Sequence, residues 1–267
     1  MYVHLKQSGE LLSSHGEVGA LWTPNGVRAS TEKIVSVHRN RERLNVSGIL
    51  MVSGAGNIIR GDQLRKHGIA NGRADALGRM ATVMNTIVLA QALEQRRVPT
   101  AMFIADTMRV VDASIPMEDL PPYDPGAVRQ AYEKERVVLV AGGTGEDNKT
   151  TDNAVLEYAR RHREGVGADD EVLILKGTKY DGVFESDPAQ DARARRFGQI
   201  SAGYMLENYE QFAVVDQASL TTINTSGLSL RVYADGQHDL RTVLEDSDGI
   251  GTLIVPGYSQ PKYPTAS

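Results

Sequence analysis

Four short segments of this chain carry residues suited to holding phosphate, and each follows an apolar run. Lys6, Ser8, Gly9 and Glu10 come directly after Val3–Leu5. Small residues let backbone N–H groups approach an anion closely while the lysine neutralises it, although an ordinary strand end before a turn uses the same residues. Gly54-Ala55-Gly56-Asn57, with Arg60 and Gly61, follows the run Ser47–Ser53. The arginine offers a bidentate fork for a phosphate, but a dinucleotide fingerprint would need glycine where Ile59 stands. Gly143-Thr144-Gly145-Glu146-Asp147-Asn148-Lys149-Thr150 departs from a P-loop at Asn148, which occupies the place of its second glycine. A glycine-rich turn before a Thr-capped helix would read the same way. Lastly, Lys176, Thr178, Lys179, Asp181 and Phe184 precede Asp187-Pro188, joining two cations, an aspartate turn and an aromatic.

Other chemistries lack their residues. The 267-residue chain has no cysteine, which removes disulfides, thiolate metal sites and cysteine nucleophiles. His4, His15, His38, His67, His162 and His238 show no metal-ligand spacing and read as surface or packing residues. With 29 basic against 34 acidic residues the net charge is −5, so no electrostatic footprint for nucleic acid is expected. No stretch approaches the length of a membrane span or a signal peptide core, and a soluble cytoplasmic protein with no membrane partner is expected.

These loops need elements to carry them. Strands are expected at Val3–Leu5, Ser47–Ser53, Thr100–Ala105, Arg136–Val140, Glu171–Leu175, Leu228–Tyr233 and Thr252–Val255. Helices are expected over Ala81–Arg97, where Met80, Val83, Met84 and Ile87 fall at helical spacing, and over Asp124–Glu135, Thr151–Arg163, Asp216–Thr225 and Asp239–Glu245. Alternating strands and helices imply parallel βαβ units, in which ligands bind beyond the carboxyl ends of the strands. The alternation in Leu228–Val232 suggests a less buried strand near a sheet edge. Arg160–Gly167 reads as a polar loop and Tyr258–Ser267 as a loose tail. The proline-containing connection Asp112–Asp124 reads as a surface excursion or a cover over a site.

Taken together and in this order, the loops resemble the bacterial uridylate (UMP) kinase branch of the amino acid kinase superfamily. K-x-S-G-E is matched at Lys6–Glu10, and G-G-G-N-x-x-R-G at Gly54–Gly61 with Ala55 in the middle. D-x-x-G-x-x-A-T-V-x-N is matched by Asp75, Gly78, Ala81, Thr82, Val83 and Asn85, and K-x-T-K-x-D-G-V-[FY]…D-P from Lys176 to Pro188. T-G-N-P-x-F-T-T-D is matched only by Thr144, Gly145, Thr150, Thr151 and Asp152.

The resemblance implies a single α/β domain over 1–267, a three-layer αβα sandwich around a mainly parallel sheet. About 1–165 would hold the phosphoryl acceptor and about 166–257 would hold ATP. Lys6, Ser8, Gly9 and Gly56 would cradle the ATP phosphates. Lys176, Thr178, Phe184 and Asp187 would also serve ATP, the last three at its nucleoside end. Gly54, Ala55, Arg60, Asp75, Thr144, Gly145, Glu146, Lys149 and Thr151 would surround the acceptor, with Asp75 at its ribose. Asp152 and Asp216 would position Lys6 and Mg²⁺, and they complete the catalytic set with Lys6 and Arg60. Magnesium would arrive on the ATP phosphates, with no protein ligand assigned. The implied assembly is a homo-oligomer, a hexamer built from dimers.

The acceptor loop departs from the family pattern where the base should be read. Glu146, Asp147, Asn148 and Lys149 stand in place of asparagine, proline and apolar residues, so the wall becomes charged. Three readings follow: a drifted UMP kinase, a paralogue acting on a modified uridine nucleotide or nucleoside as in nucleoside-antibiotic biosynthesis, or a non-catalytic nucleotide-binding or storage member.

Overall fold

The computed structural model describes residues 1–13, 21–59, 61–105, 120–167, 169–212, 214–245 and 249–264. Arg60 and His15 therefore lie outside the described residues, as does most of the Asp112–Asp124 connection.

Strands β1 (Tyr2–Gln7), β2 (Gly48–Ser53), β3 (Thr100–Ile104), β4 (Val137–Ala141), β5 (Val172–Thr178), β6 (Gln199–Ser201), β7 (Leu230–Ala234) and β8 (Thr252–Val255) form one sheet in the order β3-β4-β2-β1-β5-β7-β8-β6. Every pairing is parallel except β7 with β8. Successive side chains enter opposite layers, as the strand pleat requires. Leu50, Val52, Val138, Val140 and Ile174 pack under α4 (Pro125–Glu133), α5 (Thr151–Gly165), α6 (Ala202–Glu207) and α7 (Gln217–Ser226). Ile49, Met51, Val3, Leu5 and Leu139 pack under α1 (Pro24–Arg39), α3 (Asn71–Glu94) and α8 (Leu240–Glu245). The architecture is the expected three-layer α/β sandwich. A short 3₁₀ turn (Gly9–Leu12) follows β1, and α2 (Gly61–Lys66) precedes α3.

Three local expectations change. β7 is no edge strand: it is buried along its length between β5 and β8. Both faces are covered, and the polar Arg231 stays inside by donating to the Ile250 carbonyl at 2.8 Å. The polar stretch from Arg160 continues α5 to Gly165. Arg160 joins Glu157 and Glu164 along the helix while His162 turns wholly inward, so charge here marks a solvated helix face. Residues 259–264 of the expected loose tail are not loose; 265–267 lie outside the described residues. Lys262 pairs with Gln199 through both backbone groups, and Ser259 bonds the Ser201 hydroxyl.

Helix α3 is longer than expected, starting at Asn71. By length and composition it could cross a bilayer, yet it packs along one side on α1, β2, β3 and β4. On its other side Leu77, Met80, Met84 and Ile87 are 40–47% exposed.

Candidate active site

All four loops meet at the carboxyl ends of the central strands. β1 is flanked by β2 and β5, so Lys6 stands beside Val52 on one side and Lys176 on the other. Gly9 closes against the next loop: a Cβ there would lie 2.4 Å from the Gly54 carbonyl oxygen, so glycine is required by contact. The Gly54–Asn57 turn is held from below by α3. Asn85, fully buried, donates to the Gly54 carbonyl at 2.7 Å and exchanges hydrogen bonds with the Asn57 carboxamide. Trp22 Nε1 donates to Asn85 Oδ1 at 2.7 Å. Three residues earlier on the same helix, Thr82 accepts from Gly142 N at 2.8 Å and so fixes the loop after β4. These are positioning groups; Thr82 and Asn85 carried motif letters in the sequence without a role, and Trp22 carried no signal.

At the centre is an ion triad. Asp152, in the first turn of α5, faces Lys6 Nζ at 3.2 Å and binds Lys176 Nζ through its other oxygen. Lys176 also donates to the Val214 carbonyl at 2.6 Å. All three side chains are nearly enclosed. Burial pushes the Asp152 carboxyl up, but Lys6 and then Lys176 outweigh it and hold the group below the usual carboxylate range. Burial likewise lowers Lys176, partly offset by Asp152. With both lysines charged the triad carries one net positive charge. Asp216, expected with Asp152 to position Lys6 and Mg²⁺, caps α7 through Ser219 N at 2.8 Å and accepts from the Thr150 hydroxyl at 2.6 Å, and its charge also acts on Lys176. Thr150 in turn caps α5, so the two helix starts are tied together.

Two cavities flank this triad. The first, about 410 Å³, is lined by Ala55, Asp75, Glu146, Lys149 and Thr151 together with Arg65, Arg79, Asn148 and others. Arg65 and Arg79, absent from the sequence expectation, bring charge from α2 and α3. Arg65 bonds Asp75 at 3.2 Å, and Arg79 bonds Asp147 at 2.6 Å and the Glu146 carbonyl at 3.2 Å. Asp75 also accepts from Asn148 N at 3.0 Å. Asn148 adopts φ +58°, the left-handed conformation a glycine would take there, which asparagine tolerates better than most residues. Gly54, Thr144 and Gly145 belong to the same loops but do not line this cavity.

The second cavity, about 500 Å³, is lined by Thr178, Phe184, Asp187, Tyr180, Phe212 and Val214 among others. Lys176 lies behind it rather than in its wall. A larger cavity of about 650 Å³ sits at the β3 edge between α3 and α4 and contains none of the strand-end residues.

The amino acid kinase family model matches residues 4–233. The chain belongs to this family. It is a phosphotransferase, and its relatives include the uridylate kinase of Salinibacter ruber, 32% identical over 257 residues, covering 94% of this chain and 88% of that protein. The uridylate kinase of Nitrobacter winogradskyi is 30% identical over 254 residues, with 94% and 96% covered. The crystal structure of UMP kinase from Bacillus anthracis superimposes with a TM-score of 0.79 at 24% identity over 98% of both chains. UMP kinase from Ureaplasma parvum gives 0.77 at 22% identity, covering 95% of this chain and 98% of that one. At those identities the two structures show the shared fold. The family assignment fits one triad between two cavities and leaves the P-loop and dinucleotide alternatives without a role, since each explains a single loop.

Proposed function

We propose that the chain is an ATP-dependent kinase that transfers the γ-phosphoryl group to the phosphate of a pyrimidine nucleotide, UMP or a UMP-like one. The observation that carries this reading is the Lys6–Asp152–Lys176 triad, bonded on one side to the wall of the 500 Å³ cavity and adjacent on the other to Thr151 of the 410 Å³ cavity. The larger of these two takes the donor nucleoside, with Thr178, Phe184 and Asp187 around it; the smaller takes the acceptor, with Asp75 at the ribose. Thus the N-terminal part serves the acceptor and the C-terminal part ATP.

Phosphoryl transfer asks for positioning and neutralisation more than covalent chemistry. Lys6 follows the charge of the moving group, while Asp152 stays ionised and keeps the ammonium aimed. Backbone N–H groups of Ser8, Gly9 and Gly56 hold phosphate oxygens; Arg60, which the family resemblance assigns to the same phosphates, lies outside the described residues. A phosphate acceptor is already a competent nucleophile, so no general base is needed. Among the described residues no group of three acidic or histidine side chains stands ready to hold an ion. Magnesium, expected on the nucleotide phosphates, would supply further neutralising charge there.

A second reading, a modified uridine acceptor, draws on the rim of the acceptor cavity. Glu146 and Lys149 are exposed there, and Arg65 and Arg79 stand behind them. Such a rim suits an acceptor with an extra charged or hydroxyl substituent. ADP release with MgATP and UMP, then CMP, uridine and bulkier uridine derivatives, decides. Turnover with UMP of about 1–100 per second supports the first reading. Negligible UMP turnover alongside turnover of a derivative supports the second, and no turnover with any acceptor, despite ATP binding, supports a non-catalytic member.

The enzyme works as a cytoplasmic homo-oligomer in this reading, in which the exposed Leu77, Met80, Met84 and Ile87 face of α3 is covered by another copy. Sedimentation showing a monomer at micromolar concentration overturns that part.

A further inference from the structure

The chain after β8 turns back along the sheet edge and brings Tyr263 beside the 183–197 segment, part of which lines the second cavity. Gly257 N bonds the Asn224 side chain at 2.7 Å, Ser259 bonds Ser201, and Lys262 pairs with Gln199. Tyr263 then reaches Glu185: its hydroxyl donates to Oε2 at 2.7 Å and accepts from Arg195 at 3.0 Å, while Arg195 stacks 4.1 Å over its ring. Glu185 sits between Phe184 and Ser186, which both line the cavity. Its carbonyl takes the Gln211 amide at 2.7 Å, and Gln211 is a further wall residue. The rings are linked as well. Tyr263 packs on Phe197 at 5.3 Å and Phe197 on Phe212, a wall residue, at 5.9 Å, while Tyr258 meets the same cluster through Tyr204.

We propose that residues 258–264 form a strap that sets the shape of the donor-nucleoside pocket, with Tyr263 as a positioning residue acting through Glu185. This rests on the reading of that cavity as the donor site. The physical reason is local. The 183–197 excursion is joined to the fold at its base by the Phe197-to-Val183 and Glu185-to-Arg195 backbone bonds, and the carboxylate bridge of Glu185 to Arg195 and Tyr263 pins its outer side. Arg195 first, then Tyr263, hold the Glu185 carboxyl down at about 2, so the bridge is charged across the working pH range. Without the tyrosine hydroxyl, Phe184 and Asp187 lose part of the frame that presents them.

The test is MgATP binding by calorimetry, with steady-state kinetics, on the full chain, Tyr263→Phe, Glu185→Gln and a chain ending at Gly257. Tyr263→Phe keeps the ring and loses the hydroxyl. It is expected to weaken MgATP binding and raise the ATP KM about two- to fivefold, with kcat and the acceptor KM unchanged. Glu185→Gln should match it, and the shortened chain should lose about tenfold or more. If the shortened chain does not fold, the two point variants carry the test. Wild-type protein that binds MgATP while both point variants bind equally well overturns the strap alone. A variant that lowers kcat and raises both KM values together marks general loosening and also overturns it. Wild-type protein that binds no MgATP overturns the donor reading, and the strap with it.

Discussion

The two cavities flanking the triad are built on opposite principles. The proposed donor side is walled by Val183, Phe184, Phe212 and Val214, with Lys179, Asp187, Glu210 and Gln211 also in its lining. The proposed acceptor side is walled by three cations and two acids on three different elements; Arg65 pairs with Asp75, and Arg79 with Asp147 of the neighbouring loop. An apolar slot selects by shape and stacking, and adding or removing a methylene changes little. A cavity of charges selects by which of them the ligand pairs with, because a charge that a bound ligand covers without pairing is costly. In the proposed reading, drift in the loop after β4, where this chain departs from the family pattern, would act on acceptor choice while leaving the donor slot and the triad intact.

Substitutions can break that division. Lys6→Ala should cut transfer by about a thousandfold with either acceptor, since the triad serves both sides; near-normal turnover would remove the triad from the chemistry. Asp152→Asn should lower stability by about 3–5 kcal/mol, because two enclosed lysines lose their counter-charge. The wild-type contribution should persist above the ordinary aspartate range and fade as pH drops through the depressed folded value, which urea titrations across pH would follow. Phe184→Ala should raise the ATP KM about tenfold and leave the acceptor KM alone. Glu146→Gln with Lys149→Ala should do the reverse, moving acceptor KM about fivefold. Equal shifts in both constants from either variant would dissolve the contrast between the two sides.

The smallest effect concerns the core under the triad. His4 is fully enclosed with neither ring nitrogen bonded, and His162 packs against it at 5.3 Å while bonding Asp170 at 2.9 Å. Burial holds both below the usual imidazole range, with His162 adding to the effect on His4. The unfolded chain therefore takes up protons first as pH falls below about 6.5, and stability falls with it. Thermal melts from pH 7 to 5 should show a decline that His4→Phe reduces.

The sequence by itself determined the layered α/β class, the four strand-end loops and the lysine, aspartate and glycine residues that compose them. Strand periodicity and glycine placement are local constraints, and each loop inherits its position from the strand before it. It also showed that the acceptor loop had become charged. Only the tertiary structure decided which of those charges meet. Asp152 faces Lys6 and Lys176 because β1 and β5 are neighbours and α5 starts above them, while Asp216, alike in sequence, caps α7 and holds Thr150. Arg65 and Arg79 enter the acceptor cavity from helices whose faces periodicity leaves ambiguous, and the polar alternation of β7 misleads because both sheet faces are covered. The tail is the clearest case: Tyr258 and Tyr263 occupy a stretch that composition reads as loose, and it is ordered by strand-edge and ring contacts to residues about 60–80 positions earlier, a separation at which local sequence carries no signal.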